Sequence, residues 1–189
     1  MTNQELVEKL DKYCSHHYRF RDLFHCGETW LYSQCDNLPS QPQSWTAYSQ
    51  IATEILDPLT EQFGEIHLSF GFCGKQLRNL ILKKDRPRIA PNLDQHAAYE
   101  LNQSGGLICP RGGAAIDLKV INTSSQILAI WAASNLPFDR LYYYGSDRPL
   151  HISIGPQNNR QIIWLKNFGN RLIPRQITLE NLTNLANNG

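Results

Sequence analysis

Hydrophobic and polar positions follow two different periods along this chain, and the change falls near residue 65. Leu6, Leu10 and Tyr13 share one helical face with Glu and Lys opposite, which predicts a helix over residues 3–14. The aromatic-rich "SHHYRFRDLFHCGETW" continues as helix to Gly27. "NLPSQP", Asn37 to Pro42, is a breaker. Ser44 then caps a second helix in which Ala47, Ile51, Ile55 and Leu59 recur at helical spacing, and Pro58 should kink or shorten it.

Beyond Gly64 the pattern mixes. "EIHLSFGF" alternates Ile66, Leu68 and Phe70 and reads as a strand, and "KQLRNLILKK" reads as a short helix. The loop "DRPRIAPN" precedes a helix-like "LDQHAAYELNQ", then the strand "GGAAIDLKV" and the helix "SSQILAIWAASN" with Ser124 or Ser125 near its cap. "RLYYY", "LHISI" and "QIIWLK" are three more strands, and the last twenty residues read as a loop and a terminal helix, "LENLTNLANN". Helices first, then helix and strand without βαβ regularity, argue for an α+β fold. The divisions expected are an N-terminal helical region at 1–64, an α+β region at 65–166 and a tail at 167–189, all one compact unit.

Composition narrows the class only a little. The 189 residues are 41% hydrophobic and 19% charged, ordinary for a globular chain long enough to bury a core without staples. A formal charge of +1 gives no case for nucleic acid or membrane. Five cysteines with no C-x-x-C pair suit a reducing compartment. The N-terminus "MTNQELVEKLDKYC" has no apolar signal core, and no apolar run approaches the ~20 residues that span a bilayer. A cytoplasmic, soluble protein is expected.

Two polar residues interrupt strands that should be apolar: Asp117 in "AAIDLKV" and His151 in "PLHISIG". A buried, unpaired carboxylate is expensive, so Asp117 needs a partner. Arg111, Arg140 or backbone donors would serve, and so would a metal. A carboxylate and an imidazole meeting on one sheet face make two ligands of a zinc-type site.

Here the sequence resembles a known family. Gly113-Ala114-Ala115-Ile116-Asp117, a "G-x-A-x-D" motif, is followed by "LPFDRLYYYG" and "PLHIS", and the order and spacing look like the M15 family of zinc DD-carboxypeptidases, which share a fold with the hedgehog signalling domain. The resemblance covers roughly residues 65–155. It implies a small, mostly antiparallel sheet with helices on one side, a single zinc ion, and hydrolysis of an amide or peptide bond in a peptide-like or small-molecule substrate. In the family motif S-x-H-x-x-G-x-A-x-D, Asp117 takes the second ligand position and a later-strand histidine, His151, the third. The first ligand position falls on Pro110, which cannot bind metal. His96 in "LDQH" is the preferred displaced ligand, with Cys109 as the alternative.

Other family positions also depart from pattern. The arginine usual after the glycine-aromatic turn is missing from Phe72-Cys73-Gly74, leaving Arg78 or Arg111 as substitutes, with Arg111 the expected catalytic residue. The general base expected shortly before the last histidine falls nearest to Asp147; Glu100 is one helical turn from His96 if that stretch is helical. The rival expectation is a catalytically silent module on the same fold that binds a protein partner, through the N-terminal helices or otherwise. The segment "CSHHYRFRDLFHC" fits no structural zinc spacing and reads as buried cysteines and half-buried histidines. The basic run Lys75 to Arg88 reads as a solvated helix face and loop.

Overall fold

The computed structural model describes residues 3–85, 87, 89–169 and 171–185. The first region holds α1 (Asn3–Asp11), α2 (Phe20–Phe24), α3 (Glu28–Ser33) and α4 (Pro42–Ile51), then a π turn (Ala52–Leu56) that runs directly into α5 (Asp57–Phe63). The expected continuous helix to Gly27 stops at Phe24, the end of α2, and is broken between α1 and α2, over residues 12–19. There the backbone N–H groups of His16 and His17 donate to the Asp57 carboxylate at 2.9 and 3.1 Å rather than to a helix ladder. Pro58 does not end its helix. The wider turn just before it shifts the ladder, with Asp57 N–H bonded to the Ala52 carbonyl. Pro42 stands at the start of α4, where its missing N–H costs nothing. Ser44 lies inside that helix rather than capping it.

The rest is a mixed α/β arrangement: β1 (Ile66–Phe70), α6 (Lys75–Leu82), β2 (Ala114–Val120), α7 (Ser125–Asn135), β3 (Arg140–Tyr143), β4 (Leu150–Ile154), β5 (Gln161–Phe168), β6 (Arg171–Ile177) and α8 (Leu179–Asn184). The six strands form one sheet in the order β1-β2-β4-β3-β5-β6, antiparallel throughout except for β3 against β5. Ser124 caps α7 by accepting the Ile127 N–H.

Two expectations are corrected here. "LDQHAAYELNQ" is a chain of turns, with Ala98 at φ +47°; the Asp94 carboxylate takes up the backbone N–H groups of Ala90 and His96, in competition with a helix ladder. "RLIPRQI" is strand β6 and not loop. Pro174 disguises it, yet proline is tolerated because β6 is an edge strand. The last part of the expected terminal helix, from residue 186, and Arg86 and Arg88 of the basic run lie outside the described residues.

A main core joins most of these parts, running from Leu10 to Leu182, and α6 packs in a separate small cluster against Trp30 of α3. The sheet contributes Ala114, Ile116, Leu118, Leu150, Ile152 and Leu141 from one face, against α4 and α7. Phe24, Tyr48 and Phe72 stack edge-on or tilted with centroids 5.3–5.6 Å apart, tying the N-terminal helices to the turn after β1. Among the described residues, no helix is long and apolar enough to cross a membrane. The opposite face of β2 and β4 carries Ala115, Asp117, His151 and Ser153. It is covered by the turns around residues 93–112, and the polar chemistry lies there.

Candidate metal centre

Strand register brings Asp117 to His151. The two are directly opposed on β2 and β4, so their side chains leave the sheet on one face. Phe70 pairs with Asp117 on the β1 side, and Tyr142 pairs with His151 on the β3 side. A single row across the sheet therefore reads Phe70, Asp117, His151, Tyr142. The register slips between Leu68 and Phe70, a bulge of the kind that re-aims a strand next to a site.

His96 arrives from outside the sheet, and each residue of "DQH" has a part in delivering it. Asp94 closes the turn, accepting the N–H of Ala90 at 2.9 Å and of His96 at 3.3 Å. Gln95 is buried and fastens the turn to the sheet: its amide donates to the carbonyls of Gly112 (2.7 Å) and Ile154 (3.0 Å), and its oxygen accepts Ser153 Oγ–H at 2.6 Å. The His96 carbonyl is held by Cys73 N–H and by the Tyr48 hydroxyl, each at 3.0 Å. The single hydrogen of that hydroxyl is shared with the Ala115 carbonyl at 3.1 Å, two residues before Asp117.

The result is two imidazoles around one carboxylate oxygen. Asp117 Oδ1 lies 2.8 Å from His151 Nδ1 and 3.3 Å from His96 Nε2. One ligand atom from each residue falls within 4.8 Å of the other two, and among the described residues this is the group of His, Cys, Asp and Glu that could hold a metal ion. Both imidazoles keep 4% exposure and the Asp117 side chain 27%, so the carboxylate faces the accessible side. Rings wall the group: Phe70 stands edge-on to His96 at 4.6 Å and Tyr142 edge-on to His151 at 4.9 Å.

Hydrogen-bond roles decide what this arrangement asks for. His96 Nδ1 lies 2.8 Å from the Gly71 carbonyl, which can only accept, so Nδ1 carries the hydrogen. In neutral His96 the other nitrogen, Nε2, then points a bare lone pair at a carboxylate oxygen. Two acceptors face each other, and the contact is favourable only with a proton or a metal cation between them. Backing of one imidazole nitrogen by a carbonyl while the other faces an ion is the usual outer-shell device of metal-binding histidines. The carbonyl comes close because residue 71 is glycine: a Cβ there would sit 2.1 Å from the Leu23 carbonyl oxygen. His151 Nε2 is buried and has no hydrogen-bond partner.

Electrostatics agree with the geometry. Burial alone would raise the Asp117 carboxyl, yet His96 and His151 outweigh it and hold the group far below the usual carboxylate range. Burial alone would lower His96, but the neighbouring Asp117 carries its pKa above the ordinary 6.5. Tyr144, two residues past Tyr142 at the mouth of this face, is pushed upward by burial and by Asp117.

No protein-family model, no curated protein and no solved structure matches this chain. What the site can do is thus a matter of its own residues.

The structure brings His96, Asp117 and His151 together; Cys109, Arg111, Asp147 and Glu100 make no hydrogen bond or ion pair with them among the described residues. Cys109 is buried outside the group; burial raises its thiol pKa, with Arg111 and Arg140 pulling the other way. Arg111 is half-buried, and its Nε and Nη2 have no acceptor. Asp147 is exposed in the turn between β3 and β4, where its backbone carbonyl accepts Lys119 Nζ–H at 2.6 Å. Glu100 points away to the start of α4, accepting from Ser40, Gln41 and Ser44. Sequence reasoning misses Gln95, Phe70 and Tyr142. The first is signalled only by its place beside His96. The other two need the register, which no local pattern carries.

Proposed function

We propose that this chain is a zinc-dependent hydrolase of amide or peptide bonds, of the M15 peptidase type, with its ion at His96, Asp117 and His151. The single observation behind it is the fixed Nδ1–H of His96, which leaves Nε2 facing Asp117 Oδ1 at 3.3 Å. Two imidazoles and a carboxylate are a donor set that zinc takes, and one ligand atom from each lies within 4.8 Å of the other two. Two imidazoles and one carboxylate leave a position open. A zinc ion held this way supplies Lewis acidity and a bound water acidified to a pKa of about 7.

The chain's own residues would do the rest. Asp117 balances the ion's charge from the accessible side of the site. Phe70 and Tyr142 keep bulk water from the imidazoles, which strengthens the electrostatics there. Arg111, with guanidinium nitrogens lacking acceptors, is the group proposed to meet negative charge on a peptide-like substrate, and Asp147 to carry the proton. A cytoplasmic setting belongs to the same proposal.

A second reading keeps the ion and drops the chemistry: a silent module that binds a protein partner through its N-terminal helices. One observation favours it, since the Asp147 carboxylate makes no hydrogen bond or ion pair with the three ligands among the described residues.

Metal analysis of the purified protein tests the first reading. One zinc per chain is expected, lost in His151→Ala. No metal, or an equal content in the variant, overturns the site. Stoichiometric iron overturns the hydrolase, because two histidines and a carboxylate also form the facial triad of iron oxygenases. With zinc present, peptidase activity abolished by Asp147→Ala supports catalysis, and a zinc protein inert on peptides and amides supports the silent module.

A further inference from the structure

The formal charge of +1 conceals a segregated distribution. Between residues 148 and 179 lie five of the 18 basic residues and none of the 17 acids. Arg160 is occupied, donating to the carbonyls of Leu136 and Ala133 at the end of α7. Three others, Lys166, Arg171 and Arg175, sit on the β5–β6 ribbon.

The register sorts them. Trp164 opposes Arg175, Lys166 opposes Ile173, and Phe168 opposes Arg171. Residues directly opposed share a face. All three basic side chains therefore leave the ribbon on one face, with Phe168 and Ile173 between them. The other face carries Leu165, Asn167, Leu172, Pro174 and Gln176 and no charge at all. From Lys166 to Phe168 and from Arg171 to Gln176 every residue is exposed, so this part of the ribbon stands clear of the core on both sides. Arg171 and Arg175 have no ion pair among the described residues, and Lys166 lies 5.4 Å from the Trp164 ring.

We infer that the β5–β6 ribbon is an arm that binds double-stranded nucleic acid, with Lys166, Arg171 and Arg175 on phosphates. Arg175 is four residue steps along from Arg171, about 14 Å of strand, and Lys166 stands across from the midpoint, about 7 Å along from each. That is a line of charge matched to an extended polyanion. A two-stranded ribbon also fits the roughly 12 Å width of the B-form major groove. An anionic membrane would select a different arm, with its apolar residues gathered at the tip. Here the exposed apolar residues nearest the tip are split between the two faces, Phe168 and Ile173 among the charges and Leu172 opposite, and the charges run back along the strands. A single-strand binder would present several rings for successive bases, and among the described residues Phe168 is the one exposed ring on this face. Net charge gives no case for nucleic acid; register supplies one.

The test compares two double variants with equal change in net charge. K166Q/R175Q removes two charges from the basic face, and N167E/Q176E adds two acids to the opposite face. Affinity for a mixed-sequence DNA duplex is measured by fluorescence anisotropy against salt concentration. Three phosphate contacts predict a slope of log affinity on log salt near −3, about a 40-fold loss between about 50 and 200 mM salt. K166Q/R175Q should fall to a slope near −1, about a 4-fold loss over that range, with N167E/Q176E close to the unsubstituted protein. All these positions are exposed, and unchanged thermal unfolding establishes that the fold is intact. Absence of duplex binding, equal weakening by both variants, or tighter binding to single strands or phosphatidylserine vesicles than to duplex would each overturn the assignment.

Discussion

The segment Cys14 to Cys26 packs two cysteines and three histidines into 13 residues, whereas His96, Asp117 and His151 are spread over 56. In the dense segment each group is turned to a separate structural task. Cys14 and Cys26 donate to the carbonyls of Tyr18 and Leu23, and burial pushes both thiols up to about 12, which leaves them protonated and poor ligands. His25 stacks on Trp30 at 4.2 Å, and His16 and His17 are engaged through their backbones. In the dispersed set, register and one anchored turn aim three side chains at the same point. Density of ligand types along a chain says little about a site. Shared aim says more, and only the fold supplies it.

The sharpest way to break this contrast is to remove one member of each set. Asp117→Ala takes away the oxygen that both imidazoles face, and zinc affinity should fall by more than about 100-fold, beyond the 10–100-fold typical of losing an outer-shell partner. The double variant H16A/H17A should leave zinc affinity within about twofold, since neither ring belongs to the group. Competition titration with a chelating dye measures both. Similar losses in the two variants would erase the distinction.

A second pair separates holding the fold from holding the ligand. Gln95→Leu strips three buried hydrogen bonds from the turn that carries His96. A stability loss of about 1–3 kcal/mol and a zinc affinity weakened about 10–100-fold should appear together. Asp57→Ala leaves the N–H groups of His16 and His17 and the Ser15 hydroxyl without their acceptor. That should cost a similar amount of stability, about 1–3 kcal/mol, with zinc affinity unchanged. Denaturant unfolding beside the dye titration resolves the two effects, and a zinc loss in Asp57→Ala would show the regions to be coupled.

The same contrast explains what is legible in the sequence. Strands β1 to β5 announce themselves through alternation, and Asp117 and His151 stand out because each interrupts such a run. Only the family resemblance leads one to expect that they meet. Which strands pair, and in which register, depends on contacts between distant residues that no local pattern encodes. His96 is the preferred ligand in sequence even though its segment reads there as helix. Its turn is built by side chains bonding to backbone, which leaves no periodic trace. Strand β6 escapes notice because Pro174 argues against a strand until its edge position is known. The bases suggested by sequence spacing show the limit most clearly: Glu100 is spent on the start of α4, a use invisible along the chain.

The smallest effect follows protons, and its sign can be worked out. Without metal, Asp117 has a depressed pKa, so its contribution to stability is present above the ordinary 3.8 and is lost as pH falls toward the folded value. His96 has a raised pKa, so its contribution is complete below the ordinary 6.5 and is lost as pH climbs through the folded value. Between those limits the imidazolium of His96 fills the place between its Nε2 and Asp117 that a cation would take. Metal must displace that proton. Affinity should therefore rise about 10-fold per pH unit up to the raised pKa of His96 and level off above it. Metal-loaded and metal-free protein should consequently diverge in melting temperature as pH climbs from the ordinary 6.5 toward the raised pKa of His96. A separation that stays constant or narrows toward alkaline pH would mean that no proton occupies the site before the ion does, and the lone pair of His96 would need another explanation.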